Sequence, residues 1–80
     1  MHELPLVKAL LKTTLAQAKK KHLSHIESVT LTLGEHTGFV DELIAMYWDA
    51  ATRDTIAAGS TVEISRVRDH VCKLTRITGE

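Results

Sequence analysis

The amino-acid sequence predicts an α/β (α+β) fold in which two helices cover one face of a small mixed three-stranded sheet, in the order α-β-α-β-β. Three observations predict it. Apolar residues recur at helical spacing in two separate segments, a strictly alternating segment lies between them, and a tail rich in β-branched residues follows the second.

Leu6, Val7, Leu10, Leu11, Leu15 and Ala18 share a helical face, and Pro5 suits a first helical turn, so residues 4–21 read as one amphipathic helix. Glu3 lies at its positive end and Lys19, Lys20, Lys21 and His22 at its negative end, a placement that favours the helix at both termini. The basic run reads first as a solvated helix end and second as a handle for an acidic partner. His22 and His25 have a spacing that can share a helix face, but Leu23 and Ser24 mark a helix end between them.

Val29, Leu31 and Leu33 alternate with Ser28, Thr30 and Thr32, which predicts a half-buried strand over residues 26–33 that Gly34 ends. A polar turn through Glu35, His36, Thr37 and Gly38 precedes Asp41, where a second helix opens and runs to about Asp54 with Leu43, Ile44, Tyr47, Ala50 and Ala51 on one face. Ala58, Gly59 and Ser60 break the chain, and Val62, Ile64 and Val67 indicate a second strand. From His70 to Ile77, Val71, Leu74 and Ile77 keep a helical spacing. The abundance of Val, Thr and Ile, and the instability of a two-stranded sheet, favour a third strand entered through a turn at Arg68 and Asp69.

A chain this short buries only about 60% of its unfolded surface and cannot support two cores, so residues 1–80 are expected to form one domain. The apolar runs are too short for a membrane span, and the first residues lack the pattern of an export signal, which points to the cytoplasm. Ten basic and ten acidic residues cancel, leaving no net footprint for nucleic acid. The single cysteine, Cys72, can close no intramolecular disulfide and build no multi-thiolate zinc site; a buried, inert thiol is its expected state. Phe39, Tyr47 and Trp48 are too few to spare for a surface patch, and at least two are expected in the core. No nucleophile, base and orienting acid stand at a defensible spacing, so an enzyme is not expected.

The chain start carries the most distinctive chemistry. The amine of Met1, the backbone nitrogens of His2 and Glu3 and the His2 imidazole can meet in one plane, a square arrangement suited to Ni(II) or Cu(II) rather than tetrahedral Zn(II). Such a site needs deprotonated nitrogens, including an α-amine of pKa roughly 7.7–8.0, so its affinity should fall with acidity. His36 is a candidate axial or transfer ligand, or else a turn residue facing solvent. Glu35 could orient His2 from outside the coordination sphere or close a local turn. Asp41 and Glu42 could place carboxylates near the ion or favour the start of the second helix.

Met1-His2-Glu3-Leu4, the helix ending in Ala16-Gln17-Ala18-Lys19-Lys20, the stretch VTLTLGEHTG from Val29 to Gly38, the segment Thr52 to Gly59 and Val62-Glu63-Ile64 together resemble the HypA/HybF family of hydrogenase nickel-incorporation proteins across residues 1–67. The resemblance implies Ni(2+) over copper, with His2 as essential ligand and Met1 and Glu3 supporting it. It also implies a metallochaperone that works with a maturation GTPase of the HypB kind and delivers to the large-subunit precursor of a nickel-iron hydrogenase, or to urease maturation. The family's zinc lobe, with two Cys-x-x-Cys pairs after the second strand, has no counterpart here, so no structural zinc is expected. An interaction or structural module that kept the fold without the lobe is the alternative.

Overall fold

The computed structural model describes residues 2–80. Helix α1 (Glu3–Lys20) is followed by β1 (Ile26–Gly34), α2 (Asp41–Ala51), β2 (Thr61–Val67) and β3 (Cys72–Gly79), the order the sequence predicts. The strands lie in the order β2-β1-β3, with β2 parallel and β3 antiparallel to β1. A parallel neighbour requires a crossover, and α2 with the turns after it makes that connection.

One face of the sheet is apolar and covered; the other is polar. Val29, Leu31 and Leu33 point to the covered face and are buried, as are Val7, Leu10 and Ala18 of α1 and Ile44 and Trp48 of α2. On the opposite face the hydroxyls of Ser28 and Thr78, and of Thr32 and Thr75, pair across β1 and β3 at 2.6 and 2.9 Å. The alternation read from residues 26–33 is therefore the boundary between core and solvent. Phe39 and Tyr47 pack half-buried against the core and Trp48 lies within it, where its indole N–H donates to Ser60 Oγ at 2.9 Å. The aromatic side chains are thus used for packing, as expected.

The larger departures from the sequence reading lie at the end of α2 and in β3. Helix α2 stops at Ala51 rather than near Asp54, because the Thr52 hydroxyl donates to the Trp48 carbonyl at 2.8 Å and the chain then turns, with Asp54 in the left-handed region at φ 64°. Strand β3 begins at Cys72 rather than His70 and continues to Gly79. Cys72 is exposed at the start of that edge strand, not buried. His22 adopts φ 57°, which takes it out of the helix and separates it from His25; both are exposed, as read.

Candidate metal centre

The amino ends of both helices, the carboxyl ends of β1 and β2 and the β2–β3 link converge at one end of the molecule. Their hydrogen bonds show it: the Glu35 and Gly34 amides donate to the Val67 and Val71 carbonyls at 2.7 and 2.9 Å, and the Val40 amide donates to Glu3 Oε2 at 2.9 Å. His2 precedes the first helical turn at this end, exposed, with φ −90° and ψ 70°. Met1 lies outside the described residues, so the part assigned to its amine does too.

Glu3 opens α1 and is only 2% exposed. Its carboxylate accepts the Val40 N–H at the start of α2 and also the N–H of its own residue; the Val40 bond is the main reason its pKa is held below the ordinary carboxylate value, against partial desolvation. The side chain therefore ties the two helix starts together.

His2 is exposed at the positive end of α1, directly before the anchored Glu3.

The other candidates are distributed differently. Asp41 turns away to a 2.8 Å ion pair with Arg66, Glu35 is exposed, and His36 is exposed in the turn that precedes Thr37 and Gly38. Among the described residues no three His, Cys, Asp or Glu side chains gather to hold an ion. The structure thus brings Glu3 beside His2 and does not assemble His36, Glu35 and Asp41 into a shared cluster.

Arg66 is the residue the sequence reading missed. One of its terminal nitrogens donates to the Gly34 carbonyl (2.9 Å) and Thr37 Oγ1 (3.0 Å), the other to the Phe39 carbonyl (2.6 Å) and Asp41 Oδ1 (2.8 Å). A guanidinium is suited to this fork, and it fixes the loop from β1 to α2 on which Val40 is carried. The signal was present: Arg66 follows Val62 and Ile64 at the inward parity of β2, where an apolar residue would be ordinary.

Comparison with known proteins bears on the family and the fold. The family described as "Hydrogenase/urease nickel incorporation, metallochaperone, hypA" matches residues 1–75. The chain is 36% identical over 67 residues to hydrogenase maturation factor HypA of Dehalococcoides mccartyi strain CBDB1, covering 84% of this chain and 56% of that protein. It is 38% identical over 66 residues to the HypA of Alkalilimnicola ehrlichii, covering 80% and 57%. It therefore spans little more than half the length of these relatives. The fold also resembles the solution structure of the Ni metallochaperone HypA from Helicobacter pylori, with TM-score 0.73 at 15% identity, over 99% of this chain and 95% of that one. With its helices, mixed sheet and amino-terminal His-Glu pair in place, the chain belongs to the HypA family of nickel-incorporation metallochaperones.

Proposed function

We propose that this chain carries Ni(II) at its amino terminus and hands it on during maturation of a nickel enzyme, with nickel-iron hydrogenase as the first client. The reading assigns the ion to the Met1 amine, the backbone nitrogens of His2 and Glu3, and the His2 imidazole. The observation that supports it most is the exposed His2 set directly before a helix whose first residue, Glu3, is anchored through its side chain to Val40. Such an anchor holds the helix start while His2 stays accessible to a recipient, whose ligands can replace nitrogen after nitrogen.

In this reading the protein is a non-catalytic cytoplasmic carrier whose residues 1–80 act as one unit, and its partners are a HypB-like GTPase and a hydrogenase large-subunit precursor. The ion proposed for these 80 residues is nickel; their one cysteine cannot build a multi-thiolate zinc site. Among the described residues no helix is long and apolar enough to cross a membrane.

Isothermal titration of Ni(II) into protein with its free amine should give one site and a square-planar absorption band. Both should disappear in His2→Ala and in protein whose terminal amine is acetylated, which removes a donor without moving the imidazole. Retention of the band in the acetylated protein refutes the assignment.

A further inference from the structure

The zero net charge conceals a segregated surface. Apart from the buried Glu3, the charges on α1 and β3 are all positive: Lys8, Lys12, Lys19 and Lys20 on the helix, Lys73 and Arg76 on the strand. Between these two elements runs a groove made of two adjoining hollows of about 290 and 250 Å³ that share Leu74. Leu6, Leu10 and Leu31 form the apolar floor of the first, with Lys73 on its wall; Lys21 and Arg76 line the second, beside Ile77.

Strand β3 pairs with β1 along one side only, and no strand among the described residues pairs with the other. An edge of this kind presents unpaired backbone donors and acceptors, and a segment added beside it would turn alternate side chains into the groove and the others towards the outer face. The groove would accept apolar residues, and Lys73, Arg76 and Lys21 would accept carboxylates. We propose that the β3 edge and the adjoining groove bind an extended, acidic segment of a partner protein, with alternating apolar and acidic residues, as a fourth strand.

A second copy of this chain fits less well. The opposite edge of the sheet, at β2, borders a hollow lined by Asp41, Glu42, Val62 and Ile64, so its charge could match β3 of a neighbour. That pairing is head-to-tail, and repeated it would grow without closing, whereas a separate segment satisfies the edge once. The surface is independent of the nickel reading, since none of its residues belongs to the amino-terminal site.

The probe is a short fluorescein-labelled peptide of alternating Glu and Val with blocked ends, titrated into the full chain by anisotropy and by amide chemical-shift mapping. Saturable binding is expected, with shifts concentrated in Cys72–Gly79 and along Leu6, Leu10, Thr13 and Gln17. Doubling Lys73→Glu with Arg76→Glu, both at exposed positions, should weaken it by about tenfold or more while the circular dichroism stays unchanged. N-methylating the peptide on alternate residues that face β3 should weaken it similarly without altering its charge, which requires no protein variant. The proposal is overturned if shifts fall elsewhere or are absent, if N-methylation has no effect, if duplex DNA competes as strongly as the unlabelled peptide, or if sedimentation shows that wild-type chains fill the edge themselves.

Discussion

The Glu3 carboxylate and the Val40 amide are joined by a 2.9 Å hydrogen bond that fastens the start of α1 to the start of α2. Val40 in turn accepts the Leu43 and Ile44 amides through its carbonyl, each at 3.1 Å, so one residue both opens the second helix and holds the first in place. Four further bonds from Arg66 fix the loop that brings Val40 there.

Acid should loosen this clasp. Because the folded-state pKa of Glu3 is depressed below its ordinary value of 4.5, chiefly by the Val40 N–H, its contribution is complete above that value and is lost as pH falls through the lower folded pKa. Melting temperatures measured against pH should show Glu3→Gln below wild type near neutrality, with the gap closing at strongly acidic pH. A gap that stays constant across the acid range contradicts this linkage.

Arg66 should matter more than its ion pair. Arg66→Ala is expected to cost about 1–3 kcal/mol, since charged donors to the Gly34 and Phe39 carbonyls are lost together. Asp41→Asn should cost under about 1 kcal/mol, because the pair with Arg66 is partly exposed and screened by water. Urea titrations of the two variants compare them directly; equal losses would place the weight on the ion pair.

The Thr14 hydroxyl is buried and has no hydrogen-bond partner among the described residues. Replacing it by the isosteric Val should raise stability by about 1 kcal/mol, because an unsatisfied polar group is exchanged for a methyl of similar shape. Chemical denaturation with an unchanged slope and a higher midpoint is the expected result.

At Gly34 a Cβ would run into the backbone carbonyl of Asp69, which crosses the end of β1 there. Gly34→Ala should therefore destabilise by about 1–3 kcal/mol, as overpacking does when the neighbour is main chain. Nuclear magnetic resonance should locate the accompanying shifts at Asp69 and Val71. A neutral substitution would show that the link yields freely.

The helices and β1 were legible because their burial follows one period over many residues. The third strand was ambiguous for a reason visible in the pairing: Val29 faces Ile77 and Leu31 faces Leu74, with a register irregularity between Thr30 and Leu31. That shift lets two residues three apart face the same side, which imitates a helix in the sequence. Scarcity of aromatics alone puts at least two of Phe39, Tyr47 and Trp48 in the core without saying which; Trp48 lies within it and the other two pack half-buried against it. At the candidate site, His2 and Glu3 stood out through the chemistry of a free amine and an imidazole, but the fate of the Glu3 side chain did not. Its partner is a backbone amide far along the chain, and a main-chain donor has no residue signature. Arg66 was overlooked because strand reading counted the apolar positions around it and stopped.

The placement of β1 makes the chain indivisible. It is the strand that touches both others, and it lies between α1 and α2 in the sequence. A protease cut within residues 52–60 would leave one fragment with two helices and a lone strand, and another with two strands that never pair with each other. Neither piece could retain the shape of the whole, yet mixed together they carry every complementary edge needed to reassemble.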